Sequence, residues 1–406
     1  MLMTLGALVR VIEDRNGYSE SEVFSVSERL GVVPQREIFK KQIATDDKSK
    51  YKRIQFGDIV YNPYLLWNRA VGVCFHLSGC VSPAYVVLRP NDITTARFLH
   101  YFVRSRDFSV AVDAIASGSV TRRRTAPIQD ILNLEFDLPP IVEQRIIAQT
   151  LDAFDKNIEL INQMNITLEA IGETLFKQWF VDFEFPNEEG KPYKSSGGEM
   201  VYSEDLGKDI PKVWKVGQLS NYGNIVCGKT PPKSNPNYFG GNIPFIKIPD
   251  MHNNVFITNT EDSLTKQGAY FQQKKFLPAN SILVSCIATV GLVAITSEKS
   301  QTNQQINAII PENDVLCFYL FYYLRGLTGL LKEMGSGGSA TLNVNTRVFS
   351  GIPCLLPRRH ILESFHNSIN PVFCQILLNI KVTNSLNDLR DYLLPKLMSG
   401  QIRVKV

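Results

Sequence analysis

Residues Gly223-Asn224-Ile225-Val226-Cys227-Gly228-Lys229-Thr230 spell the phosphate-binding pattern G-x-x-x-x-G-K-[ST]. That pattern holds a nucleotide only where a helix starts at its lysine, so that the first amides cradle phosphate. Pro231, Pro232 and Pro236 follow here and deny that helix. No strand is expected to run up to Gly223, because Asn221-Tyr222 intervene. The run reads instead as a Gly/Pro loop that carries Lys229 and Lys233 toward phosphates. Asn62-Pro63-Tyr64 and Asn235-Pro236-Asn237-Tyr238 approach the Asn-Pro-Pro-Tyr signature of amino-methyltransferases but lack its second proline. Both read as turns. Asp182 with Glu189-Gly190-Lys191 imitates a nuclease D…E-x-K set. It falls after a helix end, where two carboxylates would not be held rigidly around a metal. No catalytic residue and no metal ligand is therefore assigned.

Clustered cations beside small residues point to a nucleic-acid surface. Arg122, Arg123 and Arg124 follow Ser117-Gly118-Ser119. Lys48, Lys50, Lys52 and Arg53 form a second cluster with Tyr51 interleaved. Asn343, Asn345 and Arg347 follow a Gly-rich loop, and Asn303, Gln304 and Gln305 open a strand. Arginine can bond guanine with two N–H groups, and Asn or Gln can pair similarly with adenine. Most cations only hold phosphates. Any one of these residues could equally be a solvated surface group, so the clusters together carry the expectation.

The elements that would position these groups repeat. At a constant offset of 218 residues, Ile147 faces Phe365, Leu151 faces Ile369, Phe154 faces Val372 and Ile158 faces Ile376. Met164 then faces Val382, Leu168 faces Leu386, Ile171 faces Leu389 and Leu175 faces Leu393. Steps of three and four mark one face of a long helix in each half. Pro139-Pro140 fixes the first start and Pro186 the end. A helix over about 141–181 would be on the order of 60 Å long. The second runs from Pro357 to Ser399-Gly400, and Pro371 inside it predicts a kink or break. Two such helices can lie antiparallel with both apolar stripes buried in one seam.

The segments before the helices repeat less tightly. Gly57-Asp58-Ile59-Val60-Tyr61 matches Asn280-Ser281-Ile282-Leu283-Val284, and Val71-Gly72-Val73 matches Val290-Gly291-Leu292. Residues 83–90 match 304–311, and Phe98–Phe102 matches Phe318–Tyr322. The fold class is therefore α+β. Two similar mixed α/β domains are joined by two long antiparallel, coiled-coil-like helices in a pseudo-twofold repeat. The boundaries are a first domain over 1–138, a helix over 139–184, a linker over 185–212, a second domain over 213–356 and a helix over 357–406.

Composition agrees. Apolar residues make up 44% and charged residues 20%, which excludes disordered and collagen-like chains. A net charge of +4 leans weakly toward a polyanion. The run Ile282–Ile295 is too short for a membrane span, and the N-terminus lacks a signal pattern. Seven scattered cysteines without a C-x-x-C pair read as reduced thiols in a cytoplasm. The five histidines lie far from zinc-ligand spacings.

Several motifs, in this order, resemble the specificity subunits of type I restriction-modification enzymes over essentially the whole chain. They are Leu138-Pro139-Pro140-x-x-Glu143-Gln144, Leu175-Phe176-Lys177-Gln178-Trp179-Phe180-Val181-Asp182-Phe183, and Ile210-Pro211-x-x-Trp214. Gly240-Gly241-x-Ile243-Pro244, Thr302-Asn303-Gln304 and Leu394-Pro395-Lys396-Leu397-Met398-Ser399-Gly400 complete the set. The first globule lacks the Ile-Pro-x-x-Trp lead-in. The resemblance implies that each globule is a target recognition domain reading one half of a bipartite double-stranded DNA site. It also implies that the helices act as spacer and dock two methyltransferase subunits, which restriction-motor subunits then join. The chain would bind no cofactor, and S-adenosylmethionine, ATP and Mg would belong to partner subunits. Rival readings are a fused methyltransferase or nuclease, which the missing cofactor motifs oppose, and a helical scaffold that binds no DNA.

Overall fold

The computed structural model describes residues 2–17, 20–28, 30–39, 44–116, 125–335 and 343–404. The chain divides into two compact units, residues 1–160 with 385–406, and residues 161–384.

In the first unit an antiparallel sheet has the order Val9–Ile12, Val86–Pro90, Ile59–Tyr61, Val71–Val73. Its strands alternate between two cores, as a period of two dictates. Ile59 and Tyr61 face Phe98, Leu99 and Phe102 of the helix Ala96–Phe102, while Val60 and Val87 face the core of a second sheet. That sheet has the order Gly31–Pro34, Val23–Ser27, Ser78–Val81, Lys52–Gln55, with its middle pair parallel. Asp58, fully buried, ties the two ends of this region together. It accepts two bonds from the Arg89 guanidinium, at 2.8 and 2.9 Å, and one from the Gln55 amide.

The second unit repeats the plan. Gly223–Cys227, Ile306–Pro311, Ile282–Ser285 and Val293–Thr296 stand in the same antiparallel order, with Phe256–Ile257 added in parallel at the edge. Ile282 and Val284 face the helix Leu316–Gly326, and Leu283 faces Ile246 and Ile248 on the other side. The second sheet here is Asp262–Leu264, Phe239–Ile246, Gln301–Thr302, again with a parallel pair. Register corrects one match made from sequence. Val73 pairs with Ile59 as Ile295 pairs with Ile282, so the counterpart of Val71–Val73 is Val293–Thr296. Val290-Gly291 instead lies at the preceding turn, where Gly291 has φ +94°. Residues 185–212 contain a hairpin, Met200–Ser203 with Lys208–Pro211, and Phe185 stacks between Tyr193 and Trp214.

The long helices span Ile141–Phe180 and Arg359–Met398. In the first unit, Ile147 and Leu151 share a core with Leu393, Leu394 and Leu397, and Arg390 bonds Asp155 at 2.8 Å. In the second unit, Asn165 meets Asn379 at 2.7 Å, and Phe176 and Phe180 meet the Phe365 ring. Partners descend one helix as they ascend the other, so the pair is antiparallel. Gln375 donates to the Asn379 side-chain carbonyl and completes this polar layer. Leu168, Leu175, Ile369, Val372 and Ile376 lie in the same core, while Phe154, Ile158 and Leu386 are half-buried.

Two expectations fail. Met164, Ile171, Val382 and Leu389, placed in the buried stripe by periodicity, are 42%, 51%, 39% and 50% exposed. The second helix runs unbroken across Pro371. Proline removes one N–H there, and the burial of Ile369, Phe373 and Ile376 around it holds the turn. Leu160, Met164 and Ile171 on one helix, and Leu378, Val382 and Leu389 on the other, are all exposed and correspond at the 218-residue offset.

Candidate nucleic-acid interface

The strand Gly223–Cys227 ends at Gly228, and no helix starts at Lys229; the next helical turn is Pro236–Tyr238. Gly228 is required by close approach. A Cβ there would land inside the contact distance of the Asn303 carbonyl, because the Gly228 and Lys229 amides donate to Ile306 and Thr302. Thr230 donates to the Gln304 side chain at 2.7 Å.

Both ends of the loop are fixed to one short helix, Lys266–Phe271. Gln272 donates to the Lys229 carbonyl at 2.7 Å, and also to Gln301, whose amide donates to Ala269. At the other end Thr265 donates its hydroxyl to the Asn237 carbonyl and its amide to the Tyr238 carbonyl. The same hydroxyl accepts the Gly268 amide and caps the helix. Lys229 and Lys233 are exposed, and Lys266, Lys274 and Lys275 join them from the pinned helix and the turn after it. Residues 228–238 and 265–276 contain these five lysines and no acid. Sequence reasoning missed the last three. The acid-free stretch around them was the available signal, but their nearness to Lys229 depends on Gln272, 43 residues away.

Of the strand-opening amides, Gln304 is exposed, while Asn303 is buried and bonded to Gln305. Asn345 caps the helix Thr346–Ser350 by accepting the Val348 amide, and Asn343 and Arg347 are exposed beside it. Buried Asn307 pins this segment through the Val344 carbonyl and the Thr346 hydroxyl.

In the first unit Arg122, Arg123 and Arg124 lie outside the described residues. Lys52 is buried and pairs with Glu13 at 2.9 Å, because strand alternation turns it inward beside Ile54. Arg53 and Lys50 are exposed, and Lys48 shares a cleft with Glu20, Glu22, Asp46 and Asp47. Hydrogen bonds from Ser49 hold the Asp47 carboxyl below its ordinary range. The Lys48–Arg53 cluster is thus interleaved with acids, unlike the segments 228–238 and 265–276.

The imitated motifs form turns and ion pairs. Asn62 and Asn235 each accept the amide two residues on, which is turn formation. Glu189 pairs with Lys191, Asp182 lies 3.9 Å from Lys177, and no metal-ligand cluster occurs among the described residues. No helix among the described residues is long and apolar enough to cross a membrane.

The family description "Type I restriction modification DNA specificity domain" matches residues 32–170 and again 211–361. The HindI type I restriction enzyme specificity subunit of Haemophilus influenzae is 37% identical over 402 residues, covering 86% of this chain and 88% of its own. The MjaIX specificity subunit of Methanocaldococcus jannaschii is 27% identical over 322 residues, 78% of this chain and 71% of its own. The crystal structure of a type I restriction-modification system S subunit from M. genitalium is similar in fold. Its TM-score is 0.60 at 15% identity, covering 98% of this chain and 96% of that one.

Proposed function

The chain belongs to the type I restriction-modification DNA specificity family, and on that premise we propose that it is the sequence-reading subunit of such a complex. Each globule reads one half of a two-part duplex site, as half-site readers do when protein repeat mirrors DNA repeat. The long helices set the unread spacer and dock two methyltransferase subunits, and restriction-motor subunits join them to act on cytoplasmic DNA. The chain itself catalyses nothing, and S-adenosylmethionine, ATP and Mg belong to its partners.

The observation that carries this reading is the doubling. The family description matches twice, and each unit holds an antiparallel sheet in which four strands stand in the same order. The exposed strips Leu160–Met164–Ile171 and Leu378–Val382–Leu389 support the docking stoichiometry, since equivalent apolar strips suit two copies of one partner. The test is exchange of residues 1–138 with those of a relative of different specificity, followed by methylation mapping of the assembled complex. One half of the recognised site should change and the other should persist. A change in both halves, or in neither, would refute the assignment of one half-site to each globule.

A further inference from the structure

Tyr270 and Phe271 are consecutive residues at the end of the helix Lys266–Phe271, 58% and 53% exposed. Adjacent aromatic rings left in water mark a contact surface when they are rigidly held. Here they are held. Phe271 stacks on Tyr238 with ring centres 5.2 Å apart, and Tyr270 sits edge-on to Phe276 at 5.5 Å. The Lys299 ammonium lies 4.2 Å from the centre of the Phe276 ring. The next residue, Gln272, is buried and bonded to the Lys229 carbonyl, so the rings and the lysine loop form one body.

Charge identifies the occupant. Lys266, Lys274 and Lys275 flank the rings in sequence, and Lys229 and Lys233 lie on the loop that Gln272 and Thr265 tie to the same helix, with no acid in either segment that carries them. Asp262 and Asp250, which lie nearby in sequence, are engaged, the first by the Lys247 ammonium and the second by the Lys247 and Glu261 amides. The exposed Gln304 amide, bonded to Thr230 of the same loop, adds a group suited to base edges. An anionic membrane would also accept cations and rings, but it has no use for that amide.

We propose that Tyr270 and Phe271 form an aromatic wedge that meets the base stack of duplex DNA at an opened step, with the lysines on flanking phosphates. Apolar wedges of this kind unstack and kink a duplex, and neighbouring cations hold the bent backbone. The inference rests on the sequence-reading role and adds where and how the second unit engages DNA.

The experiment uses the full chain copurified with its methyltransferase subunit. The probe is a duplex bearing the mapped site, with 2-aminopurine moved through it one position at a time. Apart from bases that the methyltransferase subunit flips, which the ring variants leave bright, the wild-type complex should brighten the probe at one further step. Phe271→Ala and Tyr270→Ala should abolish that signal and weaken binding about ten-fold, as loss of base stacking does. Neutral rings release no counterions, so the salt slope should stay unchanged in these variants. Lys274→Ala should keep the bright step while reducing the slope by about 0.9. Thermal unfolding of each variant separates lost contact from lost fold. Ring variants that stay folded, bind within two-fold of wild type and keep the signal would overturn the wedge. So would a loss confined to binding of phosphatidylserine vesicles. If the wild-type complex fails to prefer the mapped duplex over a scrambled one, the sequence-reading role itself fails instead.

Discussion

The antiparallel register makes a lengthened helix pair the sharpest test of the spacer role. Asn165 meets Asn379, so the window 162–168 of the first helix lies opposite the window around 379 of the second. Four residues added to the first helix alone lengthen it by about 6 Å, at 1.5 Å per residue. One side of the register must then slip by a turn. Asp155 and Arg390, now 2.8 Å apart, or the Asn165–Asn379 bond would be pulled beyond hydrogen-bond reach. A single insertion should therefore weaken or abolish assembly. A matched insertion, four residues in each window, restores every pair. It rotates the helix faces by only about 40°, because four residues exceed one turn of 3.6 by little. B-DNA advances about 3.4 Å per base pair, so the unread spacer should grow by one or two base pairs. Both half-sites should keep their bases. Methylation mapping of cells expressing the matched variant with its partner decides the matter. An unchanged spacer in an assembled, active complex would refute the reasoning. A matched insertion of two residues, which turns each face by about 200°, should fail to assemble.

Three further outcomes follow from particular contacts. Asp58→Ala strands the Arg89 guanidinium and should destabilise the first unit by about 3–5 kcal/mol in urea titrations. Gly228→Ala forces the Lys229 loop off the Asn303 carbonyl. It should cost about 1–3 kcal/mol in thermal unfolding and blur discrimination in the half-site read by the second unit. His100 lies against the Phe75 and Tyr101 rings, and burial holds it down to about 4 from an ordinary 6.5. The folded value is the lower one, so the unfolded chain takes the proton first. Stability is full well above pH 6.5 and drains by roughly 3 kcal/mol as pH falls toward 4. His100→Gln should remove that part of the acid sensitivity when denaturation midpoints are compared across this range.

The helices were legible because a 3.6-residue period and bracketing prolines are properties of the chain alone, and Ile141–Phe180 follows them closely. The strand repeat was legible in outline because similar residue runs recur in the same order, but differing loop lengths shifted the match to Val71–Val73. Periodicity finds a face without saying what covers it, which is why Ile171 and Leu389 were misassigned. Lys52 could have been caught, since it shares strand parity with buried Ile54. The lysine face of the second unit could not. It is assembled by Gln272 and Thr265 reaching carbonyls 43 and 28 residues away, and no local pattern encodes such bonds.

The asparagine pair in the helix seam bears on a hazard of duplicated chains. Because the halves are alike, the first half of one copy could stand in for the second half of another. Counterparts at the 218-residue offset show what that exchange would meet. Two first helices paired together would set Asn165 against Ile161, the counterpart of Asn379. Two second helices would set Asn379 against Thr383, the counterpart of Asn165. The first mismatch buries an amide opposite a hydrocarbon, and the second offers a shorter side chain in place of the long amide reach. A buried amide pair in a largely apolar seam discriminates between pairings in this way. The two asparagines thus favour a first helix paired with a second over either helix paired with its own kind.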